Sequence, residues 1–575
     1  MKKILCIMLC LCLTLGCAVA LADNFTGKAF GKNETEPVSV TVTYEDGKIV
    51  SISVSHAETP GIGDIEINRL IEEVVANQTL NVDATSGATM SHDAFLAAVE
   101  QALTAGGIDV SAFKGGEAVA AETVSYDVME ADIIIVGGGA AGMTAAVTAN
   151  EKGASVILLE KSGVLGGNTV CAANGINAFD SQVQLASEAY RNAPTSFEDI
   201  EALHMNDLNR KELVDAFINA SGETIDFYSS IGVEFVPDIQ NDSRNSSQNY
   251  YMLKPADGSN TAITMITAIE NRLAKTGVIV YKNTEAVSLI QDKSGRVTGV
   301  NAKASDGSDL TFTGKAILLA TGGFGQNQEL LGQVNPSLAK AITDEIAPTT
   351  GQGLLMAQAV GADAVDLGEI QTFPSVIKGY GMFFSFGLWN GGEAIYVNNS
   401  GERFTKEAFE IGPEILAQDT GLVYGIFDQD SFNPGMHSGL IEKGYMFSAE
   451  TPEELAGKLG IPADALAATI AKWNEDAANG GVDTVYGREK ITEISGTLYG
   501  YQSGVGAHYF MGGLLINPQT QVLNTEGNPI PGLYAAGEVT GGLHGRQRID
   551  GTGLGDSFTF GRIAGNVIAD EVTGK

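Results

Sequence analysis

The chain has 575 residues, 44% of them hydrophobic, and a formal net charge of -36 at pH 7. This length exceeds what one hydrophobic core can organise, so the sequence predicts a globular protein of roughly two to four domains. An acidic surface of this kind repels nucleic acid and anionic lipid, which excludes nucleic-acid binding from the expected functions.

The first 22 residues have the organisation of a secretory signal. Lys2 and Lys3 precede an apolar run over residues 4–15, and Ala20-Leu21-Ala22 supplies the small residues of a cleavage site. The sequence before Cys17 loosely resembles a lipoprotein box, so lipid attachment at Cys17 is the alternative. A cleaved signal and lipid attachment both predict a secreted or extracytoplasmic protein, in the periplasm or at the cell surface.

Cysteine usage limits the redox chemistry that this chain can carry. Cys171 is the only cysteine outside the signal region, so no disulfide framework can form. No C-x-x-C-H run is present to attach a c-type haem, and no metal site is predicted. Redox work in this protein therefore needs another cofactor, and Cys171 is interpreted as a small buried residue.

A first unit is predicted over residues 23–114. Alternating apolar residues at Val38–Val42 and Val50–Val54 flank Glu45-Asp46-Gly47, a pattern that predicts a hairpin. Helical spacing follows at Ile67–Val75 and His92–Leu103. A linker rich in Ala, Glu and Gly, residues 115–129, separates this unit from a larger one.

The larger unit opens with a strand, a glycine motif and a helix. Gly137, Gly139 and Gly142 satisfy G-x-G-x-x-G between the strand 131–136 and a helical run, and Glu160 ends the next strand. The glycines let the backbone approach a pyrophosphate at the helix N-terminus, and the carboxylate can accept from ribose hydroxyls. The pattern predicts a dinucleotide site.

Further motifs resemble the flavoprotein family of fumarate reductase and succinate dehydrogenase. They are Gly166-Gly167-Asn168-Thr169, Ala320-Thr321-Gly322-Gly323 and Gly532-Leu533-Tyr534-Ala535-Ala536-Gly537-Glu538, and they continue through Arg403-Phe404, residues 508–513 and Arg548. This resemblance implies noncovalent FAD, bound by Gly137, Gly139, Ala141, Gly142, Glu160, Asn168, Thr169, Gly175, Val287, Glu538 and Leu554.

The same resemblance implies the fold class. We expect an α/β two-dinucleotide-binding FAD fold, interrupted by an α+β clamp or capping domain and preceded by a small α+β FMN-binding domain. The FAD-binding parts would cover residues 130–367 and 508–575, and the cap residues 368–507.

A short polar stretch in the first unit carries a second flavin signal. Asp83-Ala84-Thr85-Ser86-Gly87-Ala88-Thr89 resembles the D-x-x-[ST]-G-A-T motif of extracytoplasmic FMN-binding domains, and residues 56–63 resemble their H-x-E-T-P-G-x-G segment. The resemblance implies FMN linked by its phosphate to Thr89, with Ser86, Gly87 and Ala88 around it. A flavin transferase would make the link. The alternative is an ordinary Ser/Thr/Gly turn.

The resemblance also implies a site that reduces the C=C bond of a 2-enoate. Arg403 matches the family's arginine proton donor, while His508 and Arg548 match residues that hold the substrate carboxylate. Gly551 lies where a backbone amide assists, and His544 is interpreted as structural. Such a reduction needs hydride, a cationic grip on the carboxylate and a proton.

Three departures from fumarate reductases bear on the substrate. Phe373 replaces the histidine of the Q-x-H-P motif, which grips the second carboxylate of fumarate. The T-E-x-x-R relay falls on Phe386, Gly387 and Asn390, and Asp550 and Thr552 alter the R-L-G-G-N run. Aromatic residues could line an apolar pocket or pack the cap core, and these are Phe373, Phe383, Phe384, Phe386 and Trp389.

The expected function is an exported reductase of urocanate or an aryl acrylate, resembling soluble fumarate and urocanate reductases without haem. Electrons would pass from a membrane-bound or extracellular donor to FMN, then to FAD, then to substrate. The alternatives are a fumarate reductase, a ketosteroid-type flavin dehydrogenase and a non-catalytic electron-transfer flavoprotein.

Overall fold

A computed structural model describes residues 23–33, 36–58, 63–85, 87–115, 125–172, 175–192, 205–241, 249–380, 395–408 and 411–575. The predicted signal segment, Ser86 and the aromatic residues between 383 and 389 lie outside the described residues. Within the described residues no helix is long and apolar enough to cross a membrane.

The N-terminal unit is a three-stranded antiparallel sheet covered by two helices. Its elements are β1 (Asp23–Ala29), β2 (Val38–Glu45), β3 (Lys48–Ser55), α1 (Gly63–Asn77) and α2 (Thr89–Ala105). The predicted hairpin and both helices are confirmed, with Asp46 and Gly47 at positive φ in the turn. The sequence analysis missed β1, whose register places Phe25 opposite Val42 at the sheet edge.

The large unit is built on an eight-stranded sheet whose central strands are parallel. The long order is β10-β11-β12-β4-β5-β9; β22 (Pro529–Ala535) joins β12 in parallel, and β21 (Gln521–Leu523) pairs with β22. The strands of its first part are β4 (Glu130–Val136), β5 (Val156–Leu159), β6 (Ile176–Asn177), β7 (Phe235–Asn241), β8 (Asn249–Pro255), β9 (Ile279–Tyr281), β10 (Thr284–Gln291), β11 (Val297–Ala304), β12 (Asp309–Leu319), β13 (Ile342–Thr343) and β14 (Ala364–Val365).

Helices pack against this sheet. Those of the first part are α3 (Ala140–Glu151), α4 (Gln182–Ala186), α5 (Glu188–Asn192), α6 (Lys211–Ser230), α7 (Thr261–Leu273), α8 (Gln328–Val334) and α9 (Gln352–Ala359). The last segment returns to the same unit with β20 (Gly513–Leu515), β21 (Gln521–Leu523), β22 (Pro529–Ala535), β23 (Thr540–Gly541) and α14 (Thr552–Thr573). Buried residues of β4, β5, β12, α3 and α14 form one continuous core.

Between these two parts lies a second sheet with its own helices, at the place predicted for the cap. It contains β15 (Ile370–Ile377), β16 (Ile395–Val397), β17 (Leu422–Asp428), β18 (Met446–Ala449), β19 (Leu498–Phe510), α10 (Gly412–Leu416), α11 (Pro434–Glu442), α12 (Pro452–Leu459) and α13 (Ala463–Ala478). β19 pairs with β13, β15, β17 and β18, so its end carries residues 507–510 back to the FAD unit.

Candidate active site

A cavity opens at the carboxyl ends of β4, β5 and β12. It lies at the N-terminus of α3, where backbone amides and the helix dipole favour a phosphate. Gly137 has φ +108, and a Cβ there would lie 2.2 Å from the Ala320 carbonyl oxygen, so only glycine fits. Seven predicted FAD contacts line this cavity, namely Gly137, Gly139, Ala141, Glu160, Asn168, Thr169 and Glu538.

Glu160 holds the glycine loop as well as facing the cavity. Its carboxylate accepts hydrogen bonds from the amides of Gly138 and Ser162, both at 2.7 Å. Each oxygen keeps a further lone pair, so the carboxylate can still accept from a ribose hydroxyl. The hydrogen-bonding groups and the glycine cradle therefore fit FAD.

Four predicted FAD contacts do not line the cavity. Gly142 lies beneath it, because a Cβ there would sit 1.9 Å from the Gly137 carbonyl oxygen, and this glycine serves helix–loop packing. Gly175 packs against Leu253, and Leu554 is buried in α14. Ala286 lines the cavity, whereas the Val287 side chain is 41% exposed.

A carboxyl pair beside the cavity consists of the predicted FAD contact Glu538 and of buried Glu345, which escaped the sequence analysis. Glu345 and Glu538 face each other, and burial followed by the neighbouring Glu538 charge raises the pKa of Glu345. Burial also raises the pKa of Glu538 to about 7. Two carboxyl groups can share such a contact only if one is protonated. Glu345 is far from Glu538 in sequence, so no local pattern could have paired them.

The substrate end of the site is organised around His508 at the end of β19. Its Nδ1 lies 2.7 Å from Oδ2 of Asp344, which follows β13 and escaped the sequence analysis. The Phe373 ring packs edge-on against the His508 imidazole, with centroids 4.5 Å apart. The imidazole is one-third exposed, while the Asp344 carboxylate is 9% exposed. His508 can therefore present its other ring nitrogen to a ligand.

Arg548, in the loop before α14, contacts the β15–β19 ladder that carries His508. Its Nε and one terminal nitrogen donate to Oε1 of Gln371 at 3.1 and 2.8 Å, and its guanidinium stacks over the Tyr509 ring. In the register Gln371 stands opposite Tyr509, and Phe373 opposite Gly506. The structure therefore brings together His508, Arg548 and Phe373. Gly551, with φ +79, caps the N-terminus of α14 just after Arg548.

Arg403, the predicted proton donor, lies in the cap among buried acidic partners. It donates to both oxygens of Glu407 at 2.7 and 2.6 Å and to Asp483 at 2.9 Å. Its guanidinium also stacks on Trp473, and its side chain is 7% exposed. All these partners belong to the cap, and in the described part of the chain no ion pair joins Glu407 or Asp483 to His508 or Arg548. We assign Arg403 to the cap interior, in a network with Arg488.

The predicted FMN attachment residue, Thr89, is exposed at the first turn of α2. The loop before it is fixed by Glu66, which accepts from the amide and hydroxyl of Thr85 and contacts His92 at 2.9 Å. Burial alone would raise the pKa of Glu66, but hydrogen bonds from His92, Arg69 and Thr85 outweigh it and lower the pKa to about 2. An ordered, anionic scaffold thus presents Thr89.

The attachment loop also touches the rest of the molecule. A Cβ on Gly87 would lie 2.7 Å from Val164, two residues after Ser162, which lines the FAD cavity. Met90 packs against the apolar cluster of the cap that contains Tyr380. The structure therefore places residues 87–90 between the FAD unit and the cap.

Comparisons with known proteins agree with this geometry. Residues 132–554 match the FAD binding domain model, and residues 31–104 match the FMN-binding domain model. Urocanate reductase of Eggerthella lenta is 33% identical over 572 residues, covering 96% of this chain and 93% of the relative. NADH:fumarate oxidoreductase of Klebsiella pneumoniae is 30% identical and covers 94% of this chain, which spans only 58% of that protein.

A solved structure gives the same result for the fold. The open conformation of a flavocytochrome c3 fumarate reductase superposes with a TM-score of 0.70 at 28% identity, covering 77% of this chain and 78% of that one. The cofactors are thus FAD and FMN, the latter typically covalent on threonine in domains of this kind. The chain belongs to the flavoprotein family of fumarate and urocanate reductases, with an FAD binding domain preceded by an FMN-binding domain.

Proposed function

We propose that this protein is an exported reductase of the C=C bond of 2-enoates, with urocanate or an aryl acrylate as substrate class. The observation that carries the proposal is that the site combines one cationic side chain, Arg548, with one aromatic side chain, Phe373. Arg548 offers a guanidinium for a single carboxylate, and Phe373 covers the neighbouring imidazole of His508. A flat aromatic or imidazole group can pack there.

Fumarate is the second candidate, supported by the names of several relatives. It carries two carboxylates, and placing one against Phe373 without a hydrogen-bonding partner would cost at least several kcal/mol. An aromatic group in the same position gains on the order of 1 to 3 kcal/mol from stacking and burial. The Phe373 wall therefore favours an aryl or imidazole acrylate over fumarate.

The electrons enter, in this proposal, through FMN linked to Thr89 by a flavin transferase. The exposed Thr89 hydroxyl and the contact of Gly87 with Val164 support this path, because they bring the attachment loop beside the FAD cavity. A membrane-bound or extracellular partner would reduce the FMN. The signal-like segment 1–22 supports an extracytoplasmic site of action.

The test is oxidation of a reduced dye by the purified two-flavin protein with a panel of urocanate, cinnamate, acrylate and fumarate. We expect kcat/KM for urocanate or cinnamate to exceed that for fumarate by at least ~100-fold, which corresponds to about 2.7 kcal/mol. Equal efficiency with fumarate would contradict the substrate class. A protein that holds both flavins but reduces no enoate would be an electron carrier instead.

A further inference from the structure

Two lysine side chains from different units of the molecule meet at one aromatic ring near the FMN attachment loop. Lys32 follows β1 in the N-terminal unit, and Lys443 follows α11 in the cap. Their Nζ atoms lie 5.3 and 5.2 Å from the centroid of the Tyr380 ring. Lys443 also donates a hydrogen bond to the carbonyl oxygen of Gly31, so this contact joins the two units directly.

The position of Lys32 is fixed by a buried carboxylate of the N-terminal unit. Glu58, which is 3% exposed, accepts from the backbone amides of Lys32 and Asn33 at 2.8 and 3.1 Å. It also accepts from the hydroxyl of Ser91 at 2.6 Å, two residues after Thr89. One side chain thus holds both the lysine segment and the first turn of α2, which keeps Lys32 close to the attachment residue.

The cap side of this contact is tied to the same turn of α2. Met90, which follows Thr89 in the chain, packs against the apolar cluster that contains Tyr380. The Tyr380 ring is 7% exposed, and Lys32 and Lys443 are both partly buried. The two ammonium groups and the attachment turn therefore meet at the boundary between the N-terminal unit and the cap.

Two ammonium groups beside one ring favour an anionic ligand. Like charges at short range repel each other, and partial burial weakens the solvent screening that would relieve the repulsion. A tyrosine ring attracts a cation through its quadrupole but carries no negative charge. In the described part of the chain Lys32 forms no ion pair with a carboxylate, although acidic residues outnumber basic ones by 70 to 34.

We propose that Lys32 and Lys443 bind the pyrimidine edge of the FMN ring carried by Thr89 and favour its reduced form. This inference rests on the proposed attachment at Thr89 and names the residues that set the potential of that flavin. The FMN phosphate would lie at the N-terminus of α2, which has no side-chain cap, so its backbone amides are left for the phosphate. The two lysines are then available to the ring.

Reduction of FMN explains why this edge of the ring needs cations. Two electrons from the donor and one proton from solvent leave one negative charge at N1 of the ring, and nearby ammonium groups stabilise that charge. Because the N-terminal unit and the cap each supply one lysine, the site is complete only while these units are in contact. Gly87 of the same loop contacts Val164, so the site lies beside the FAD unit.

The first test is the midpoint potential of FMN, measured by spectroelectrochemical titration of protein that carries both flavins. Thr89→Ala protein, expected to keep only FAD, supplies the FAD spectrum for subtraction. We expect Lys32→Met and Lys443→Met each to disfavour reduction of FMN about tenfold, or about 30 mV for two electrons, with the FAD potential unchanged. Lys32→Arg and Lys443→Arg keep the charge and should stay within about threefold of wild type.

Two other lysines supply matched controls for the loss of a positive charge. Lys28 is an exposed residue of β1, and Lys458 is paired with Glu454 on the surface of the cap. Lys28→Met and Lys458→Met should leave the FMN potential unchanged. Shifts in these controls as large as those in the Lys32 and Lys443 variants would overturn the inference. An unchanged FMN potential in both Lys32→Met and Lys443→Met would overturn it as well.

A binding measurement separates this inference from the attachment site. In Thr89→Ala protein without covalent flavin, added FMN should bind, and Lys32→Met or Lys443→Met in that background should weaken its binding about tenfold. Equal affinities would overturn the lysine site. If Thr89→Ala retains covalent flavin, the proposed attachment fails, whereas a tenfold shift of the FMN potential in the lysine variants would still support the lysine site.

Discussion

The cofactor end and the substrate end of this site were assembled from the sequence in different ways. The FAD cavity takes Gly137, Gly139 and Glu160 from one βαβ segment, so these residues are close in the sequence as well as in the fold. The substrate end draws Asp344, Phe373, His508 and Arg548 from separate segments. Function that depends on local geometry can be predicted from a motif, whereas function that depends on distant pairing needs the fold.

The largest expected effect tests the cofactor side of this comparison. Thr89→Ala should remove the covalent flavin completely, because no other hydroxyl would occupy its place at the first turn of α2. FAD, which binds in a separate cavity, should stay near its normal content. Flavin remaining on denatured protein, measured by fluorescence in a gel, gives the result.

Thr104→Ala is the control for this prediction, since Thr104 is an exposed residue of the same helix. It should keep the covalent flavin. Retention of covalent flavin in Thr89→Ala would contradict the attachment site.

At the substrate end, Arg548→Met should lower kcat/KM for the preferred enoate by about 10³-fold. The variant loses the charge that holds the carboxylate and stabilises the developing enolate. Arg546→Met is the control on the same loop, because Arg546 points outward to Asp207 and Glu369 and is 54% exposed. Similar losses of kcat/KM in both variants would indicate that the conformation of the loop, and not the charge of Arg548, determines the activity.

A smaller effect is expected from Phe373→His, which supplies a polar partner for the second carboxylate of fumarate. We expect the ratio of kcat/KM for fumarate to that for urocanate to rise about tenfold. The rise stays incomplete because other positions also differ from fumarate reductases. Phe373→Leu, which removes the ring and adds no donor, should leave fumarate as poor a substrate as before. An unchanged ratio in Phe373→His would remove Phe373 from the determinants of specificity.

The smallest effect concerns the carboxyl pair beside the FAD cavity. The pKa of Glu538 is raised from 4.5 to about 7, so its neutral form is favoured in the folded state. The folded protein then binds more protons than the unfolded chain between these values, and stability falls as pH rises from about 4.5 to 7. The apoprotein should therefore unfold a few degrees lower at pH 8 than at pH 5 through this pair.

Glu345→Gln checks this sign by thermal unfolding at the two pH values. Glutamine can donate to Glu538, so the part of the pH difference that belongs to the pair should shrink. An identical difference in wild-type and variant protein would show that the pair carries no shared proton.

Particular residues show where sequence analysis succeeded and where it failed. The strand–glycine–helix order predicted the FAD cavity, and alternating residues predicted the hairpin of the N-terminal unit. The role of Arg403 stays a prediction, and its motif position did not reveal that Glu407 and Asp483 surround its guanidinium inside the cap. Asp344 was missed because it is distant from His508 in the sequence. The two residues are neighbours only because β13 pairs with the end of β19.

The buried charge network of the cap has a consequence for salt tolerance. Arg403 and Arg488 balance Glu407 and Asp483, so the four residues carry no net charge and exclude the solvent ions that screen exposed pairs. The acidic exterior, at a net charge of -36, repels itself and is relieved by added salt. Rising ionic strength should thus relax the surface repulsion while leaving the interior of the cap unaffected.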